Sequence, residues 1–399
     1  MADPWLSLIG LGEDGLNGLC PASRAALDRA EIVFGGARHL ALADVGARGQ
    51  AWPLPFSVAP VLALRGHPVA VLASGDPFWH GVGGTLAPHL APGEWRAFPA
   101  PSSFALAAAR LGWRLEEVDC LGLHAAPFAR LVPVLAPGVR VICLMRDGAA
   151  PAALAEWLVA QGFGASRMVV LEALGGPRER LHETRAEAFA AAPEALSVSA
   201  PVAVAIEGAG AAGLSRASGL PDALFATDGM ITKRPVRAMT LSALAPRPGA
   251  LLWDIGAGSG SISVEWCRAA PGARAIALEP DDGRRGFVAE NAARFGLAHR
   301  IEIRPGRAPE ALSALPAPDA VFFGGGVTAE GIAQVLARLH PGGRLLCNSV
   351  TLESEALLIE SHLRFGGSLL KIELAEAAPF GRLHGWTRAR PILQWSLER

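Results

Sequence analysis

Residues 251–266 read Leu-Leu-Trp-Asp-Ile-Gly-Ala-Gly-Ser-Gly-Ser-Ile-Ser-Val-Glu-Trp. An apolar run, Leu251 to Trp253, ends at Asp254. Glycines then stand at every second position, Gly256, Gly258 and Gly260, separated by the small residues Ala257 and Ser259, and an apolar helix-like segment resumes after them. The pattern predicts a strand, a tight turn and a helix start. Glycine suits such a turn because the backbone must take φ values closed to other residues and let a ligand lie against bare main chain at a helix N-terminus. The ligand class it implies is nucleotide-like.

The next apolar strand, Arg274 to Leu278, ends in Glu279, nineteen residues after Gly260. A carboxylate there can accept hydrogen bonds from two ribose hydroxyls. The spacing is G-x-G-x-G rather than the G-x-G-x-x-G of the dinucleotide fingerprint. A bare glycine-rich turn and an NAD site remain open on spacing alone. Asp-x-Gly-x-Gly-x-Gly with an acidic strand end resembles motif I of the class I S-adenosylmethionine methyltransferases.

Working outward, strict β/α alternation continues to the C-terminus. Strands are expected at Arg300–Ile303, Ala320–Phe323 and Arg344–Cys347, with Ser368–Leu374 and Ile392–Ser396 as a last antiparallel pair. A helix after Glu279 should bury Phe287, Asn291, Ala292 and Phe295 on one face. Upstream, the small-residue stretch from Gly208 to Gly219 cannot build a core and reads as an interdomain linker. The first half opens at Leu6 to Gly15, a short apolar strand that breaks into a second glycine-rich turn. Val69–Ala73 is a continuous apolar run of the kind found in parallel strands buried on both faces, and it ends at Ser74-Gly75-Asp76-Pro77. Arg114–Leu123, with three acids, reads as a connection between two lobes, and strands at Val139–Leu144, Met168–Leu171 and Val202–Ile206 form the second. Trp79, Trp253 and Trp266 read as core. The expected domains are 1–207, with lobes of about 1–113 and 114–207, a linker at 208–222, and 223–399.

Composition narrows the function classes. The chain has 399 residues, 51% of them apolar, which suits two or three cores. No apolar stretch of eighteen residues escapes a charge or a Pro/Gly break, so no membrane span is expected. Without a basic leader at the N-terminus, a cytoplasmic enzyme is expected. Five cysteines, widely spaced, and histidines without a ligand spacing argue against a metal site. A net charge of −1 argues against a nucleic-acid partner.

The two halves together carry a resemblance. The first is similar to the tetrapyrrole methylases, the class III S-adenosylmethionine methyltransferases, in its strand-then-G-x-G start at Gly10 and Gly12 and its Gly75-Asp76-Pro77 loop. The second is similar to the class I methyltransferase partner of corrin synthesis, in its Met-Ile-Thr-Lys-x-x-Val-Arg lead-in at Met230–Arg237 and its Asp254–Gly260 motif. The resemblance implies an α/β chain: a two-lobed class III tetrapyrrole methylase fold followed by a class I Rossmann-like domain. It implies two S-adenosylmethionine sites. Gly10, Leu11, Gly12, Asp76, Ser102, Ser103 and Met145 would form the first, and Thr232, Gly256, Ala257, Gly258, Ser259, Gly260, Glu279 and Ala308 the second. The family's usual proline after the second N-terminal glycine is replaced by Glu13-Asp14-Gly15.

The activity implied is methylation of a reduced, polycarboxylate tetrapyrrole at C5 by the first half and C15 by the second, with loss of CO2 from an acetate side chain in cobalamin biosynthesis. Arg237 and Arg307 would meet substrate carboxylates, with Arg234, Arg382 and Arg388 as further candidates. A homo-oligomer is expected by analogy. The rival readings are an RNA methyltransferase, and a chain whose first half only binds S-adenosylmethionine while the second does the chemistry.

Overall fold

The computed structural model describes residues 4–399; residues 1–3, where the leader reading and the first domain begin, lie outside them. Two compact units are present, one built on the chain up to Phe128 with Val134–Gly213, the other on Ala129–Pro133 with Leu214–Arg399. Among the described residues no helix is long and apolar enough to cross a membrane.

The first unit holds two sheets. One contains β1 (Leu6–Leu11), β2 (Ile32–Gly35), β3 (Gly49–Ala51), β4 (Val69–Ser74) and β5 (Trp95–Phe98) in the order β3-β2-β4-β1-β5, all parallel. Both faces are covered, which is why Val69–Ala73 is buried throughout. Gly10 sits where three strand ends converge. The Gly75 N–H donates to the Leu11 carbonyl at 3.2 Å and the Ala100 N–H to the Gly75 carbonyl at 3.1 Å. A Cβ on Gly10 would run into the Gly75 carbonyl and the Ala100 nitrogen.

The other sheet contains β6 (Val118–Gly122), β7 (Arg140–Leu144), β8 (Arg167–Glu172), β9 (Arg180–Arg185) and β10 (Val202–Glu207) in the order β6-β7-β10-β8-β9, with only β6 and β7 parallel. Arg114–Leu123 is therefore not a mere connection. Val118 and Cys120 pack on the core while Asp119 alternates with them, and the acids hid that period from the sequence reading. The polar edge strand β9 carried no apolar alternation to find.

The stretch read as a linker is pinned. Gly208 N–H donates to the Val139 carbonyl at 2.9 Å and Ala211 N–H to the Gly162 carbonyl at 2.9 Å. Small residues there let backbone lie against backbone in the first unit. Leu220 then enters the core of the second unit, 3% exposed.

The second unit is a seven-stranded sheet made of β11 (Leu251–Ile255), β12 (Arg274–Leu278), β13 (Ile301–Arg304), β14 (Ala320–Phe323), β15 (Arg344–Ser349), β16 (Ser368–Ile372) and β19 (Ile392–Glu398), with a separate hairpin of β17 (Ala375–Phe380) and β18 (Leu383–Arg388). Its order is β13-β12-β11-β14-β15-β19-β16, parallel except for β19, which runs antiparallel to β15 and β16. Trp253, Trp266 and Trp395 are buried in it. Trp79 of the first unit is 43% exposed, contrary to its reading as core. On the helix Asp282–Arg294 the buried face is Val288, Asn291 and Ala292, with Val288 taking the place expected of Phe287. The ends of β11 and β14 converge at Gly256 and Gly324, just where ligands bind in open α/β sheets.

Gly10→Ala should cost the first unit about 1–3 kcal/mol through overpacking while leaving the second unit unchanged. Differential scanning calorimetry would show this as one transition displaced and one fixed; an unmoved first transition would contradict the close approach.

Candidate active sites

The larger cleft, of about 820 Å³, lies in the second unit. Its floor is the glycine turn. The Gly256 and Ala257 N–H groups donate to the Leu278 carbonyl at 2.9 and 3.2 Å, so the turn is stapled to β12. Gly256, Gly258 and Gly260 have φ of +70°, +57° and +71°, which only glycine adopts without strain. Gly256 and Gly258 line the cleft with Ala257 and Ser259. Gly260 does not: a Cβ there would sit 2.8 Å from Val288 Cγ1, so this glycine serves helix packing.

Glu279 lines the cleft while only 3% exposed. Its Oε2 accepts from the Gly258 N–H at 2.8 Å and its Oε1 from the Asp281 N–H at 3.1 Å. Two backbone bonds fix the carboxylate and leave lone pairs for hydroxyl donors. Ser259 Oγ, also lining the cleft, is buried without a partner among the described residues. An unpartnered hydroxyl, a fixed carboxylate and bare backbone fit the adenosine end of S-adenosylmethionine.

Behind them Asp254, 1% exposed, accepts from Ser263 N–H at 3.1 Å and Ser263 Oγ–H at 2.6 Å through Oδ2, while Oδ1 has no partner. Burial pushes its carboxyl up to about 6; the Ser263 bonds oppose that and the nearby Glu279 charge adds to it.

Thr232, Arg307 and Ala308 also line this cleft, and Arg307 is exposed. Arg237 does not line it, which corrects its reading as a substrate contact. The side chain is fully buried. Its Nε donates to Glu265 Oε1 at 2.6 Å, one terminal nitrogen to Asp222 Oδ1 at 3.0 Å and to the Thr232 carbonyl, and the other to the Leu220 carbonyl. Its guanidinium also lies 4.7 Å over the Phe225 ring. Each of its three nitrogens is engaged within the unit, on Glu265, Asp222 and the Leu220 and Thr232 carbonyls. Arg284 and Arg390 line the cleft unforeseen. Arg284 is paired with Asp228 at 3.0 Å; Arg390 lies in the connection before β19, with no spacing signal to mark it.

The smaller cleft, of about 400 Å³, lies in the first unit and is lined by Leu11, Gly12, Ser102, Ser103 and Met145 among others. Gly10 and Asp76 are not on its wall. Gly10 meets the strand ends already described, and Asp76 Oδ1 accepts from the Phe78 N–H at 2.8 Å, capping the turn. Ser102 caps the helix Ser103–Leu111 by accepting from the Ala105 N–H at 3.1 Å.

The sequence reading missed a polar network on the same wall, formed by Glu13, Arg38, His39 and Ser74. Arg38 donates to Glu13 through one terminal nitrogen. Through the other it lies 2.7 Å from Ser74 Oγ and 2.9 Å from His39 Nε2. His39 Nε2 is 2.8 Å from Ser74 Oγ. Burial, and next the Arg38 charge, push the imidazole down to about 4. The only signal was Glu13 standing in place of proline.

Comparison with known proteins covers both units. Residues 6–190 match the model of the Tetrapyrrole (Corrin/Porphyrin) Methylases, and residues 223–399 that of the Precorrin methyltransferase domain. A Sinorhizobium protein named precorrin-6Y C(5,15)-methyltransferase [decarboxylating] is 48% identical, with 99% of this chain and 97% of that protein covered. A Mycobacterium tuberculosis protein of the same name is 40% identical, with 98% and 99% covered. The crystal structure of the C-terminal domain of precorrin-6Y C5,15-methyltransferase from Rhodobacter capsulatus is 52% identical over 47% of this chain and 100% of its own, at a TM-score of 0.45.

Arg237→Met would leave Glu265 buried without its guanidinium, and breaking a buried pair in this way costs about 3–5 kcal/mol. Denaturant titration should show that loss in the second unit; an unchanged midpoint would mean the pair does not support the fold. Asp254 gives a pH-dependent outcome. Its folded pKa lies above the ordinary 3.8, so this group's contribution to stability is greatest below 3.8 and falls as the pH rises to about 6. Asp254→Asn should remove that decline, and stability curves for parent and variant that run parallel across this window would refute it.

Proposed function

The chain belongs to the precorrin-6Y C5,15-methyltransferase (decarboxylating) family, and we propose that it works through two S-adenosylmethionine sites, one in each cleft. It is a methyltransferase of cobalamin biosynthesis that methylates a precorrin at C5 in its first half and at C15 in its second, where an acetate side chain also loses CO2. The observation that carries the two-site reading is the second cleft's glycine cradle with its backbone-fixed Glu279, alongside a separate cleft in the first unit.

When bound, S-adenosylmethionine supplies an electrophilic methyl on a sulphonium. In the second cleft Thr232, Gly256, Ala257, Gly258, Ser259, Glu279 and Ala308 would hold it, with Glu279 on the ribose and Gly260 keeping the turn in place. In the first, Leu11, Gly12, Ser102, Ser103 and Met145 would do so, with Gly10 and Asp76 shaping the loops. Arg307 and Arg390 face the second cleft as partners for substrate carboxylates, each charge-assisted hydrogen bond contributing roughly 1.5–3 kcal/mol.

Neither cleft needs a strong acid or base. The bridge carbons of a reduced tetrapyrrole are enamine-like nucleophiles, and the conjugated ring accepts the electron pair left by CO2. Orientation is what the protein adds, and it can lower a barrier by about 7–11 kcal/mol. The net charge of −1 supports an enzyme without a nucleic-acid partner. Exposed Phe380, Leu383 and Trp386 on the β17–β18 hairpin support a homo-oligomer.

Incubated with S-adenosylmethionine and a reduced precorrin, the pure chain should give a product heavier by two methyls and lighter by one CO2. Glu279→Ala should gain one methyl, keep its carboxylates, and lose one of two S-adenosylmethionine sites in titration calorimetry. No mass change in the parent, with label entering RNA instead, would overturn the assignment.

A further inference from the structure

The first cleft carries charge that methyl transfer itself does not call for. Among the described residues lining it, Arg38 is the sole arginine and Glu13 the sole carboxylate, and there is no lysine. Glu13, directly after Gly12, is a buried charge, 8% exposed. Gly176 makes room for it, since a Cβ there would lie 2.5 Å from the Glu13 Cβ.

Glu13 gathers two guanidiniums. Arg38 donates to Oε1, and Arg178 donates to Oε2 at 3.3 Å. The charges do not balance: two cations share one carboxylate. Arg38 pays for this with a lowered pKa, from burial first and the Arg178 charge second. His39 adds no third charge. Its Nε2 accepts from Arg38, so the ring is neutral and acts as an acceptor that aims the guanidinium, with Ser74 Oγ as the second. The Arg38 side chain still keeps 35% exposure, within the cleft. A site with one carboxylate too few, facing a cavity, is built for a ligand that brings one.

We infer that Arg38 is the anchor for a carboxylate of the tetrapyrrole in the first cleft, and that Glu13 is the positioning residue that holds it there. This rests on the reading that the first cleft takes the polycarboxylate macrocycle. S-adenosylmethionine also carries a carboxylate, so the test must separate the two sources.

The experiment uses the full chain and follows C5 methylation by mass, with precorrin and S-adenosylmethionine varied separately. Arg38→Ala should raise the KM for precorrin about ten- to hundredfold, the worth of one charge-assisted bond. The Kd for S-adenosylmethionine should hold. Arg38→Lys, which keeps the charge without the fork, should recover part of the loss, and Glu13→Gln should raise KM by a smaller factor with kcat little changed. The first unit's own calorimetric transition, kept in each variant, reports that this unit is folded, and methylation and CO2 loss by the second half report that the precorrin supplied is competent. An unchanged precorrin KM in Arg38→Ala overturns the anchor. So does a Kd for S-adenosylmethionine that weakens in step, because the cation then serves the cofactor. A parent chain that never methylates precorrin at C5 removes the functional reading itself, and is told apart because it fails before any variant is made.

Discussion

The buried pair of Arg237 and Glu265 is the constraint on which the second unit's cleft depends. Two charges out of water cost several kcal/mol each, and they persist only where every donor and lone pair is used. Here each guanidinium nitrogen and both carboxylate oxygens are bonded: Glu265 accepts from Arg237 and from the Gly219 and Leu220 N–H groups, while Arg237 also donates to Asp222 and to the Leu220 and Thr232 carbonyls. Residues 219–232 have no regular structure beyond a short turn at Asp222–Leu224, so side chains from elsewhere must fix them. Asn291 completes the job by bonding both backbone groups of Ala226 and the Ser259 carbonyl. Arg237 thus holds the wall of the cleft, from Gly229 to Lys233, at Thr232, and Asn291 ties the chain just before it to the glycine turn.

The two clefts reach a similar end by different means. In the second unit the floor is backbone: Gly256 and Gly258 with positive φ, two N–H groups on the Leu278 carbonyl, and Glu279 bonded to Gly258. In the first unit, loops from β1, β4 and the helix Ser103–Leu111 converge, and side chains set the polarity. Both lie beyond the carboxyl ends of parallel strands, the place where open α/β sheets bind ligands. Chemistry that relies on a nucleophile within the substrate asks for position rather than proton transfer, and rigid cradles supply it.

Much of this was legible because it obeys short-range rules. The strand–turn–helix at Leu251–Ser261 follows from apolar period and glycine, and Glu279 from its place at the next strand end. What the sequence hid depends on partners far along the chain. Arg237 sits in a motif that invites a substrate role, and only the positions of Glu265 and Leu220 show that it is internal. Gly10 and Gly260 belong to glycine signatures, yet each is required by a neighbour, Gly75 in one case and Val288 in the other. Strand β9 was invisible because an exposed edge needs no apolar alternation. The network around Glu13 was marked only by a missing proline.

The scarcity of lysine fits this architecture. Only Lys233 and Lys371 occur in the chain, and arginine does work that an ammonium could not. Arg48 caps the carbonyls of Leu27 and Ala30, and Arg338 gathers those of Leu312, Ser313 and Leu315. A planar fork can reach two or three carbonyls at once, whereas a lysine is a single strongly hydrated point charge. Arginine abundance is therefore a poor guide to substrate contacts here, since many guanidiniums close loops. The informative ones are those that face a cavity with charge left over. Arg307 and Arg390 do so in the second cleft without an ion pair among the described residues, and Arg38 does so in the first because Glu13 is shared between two cations.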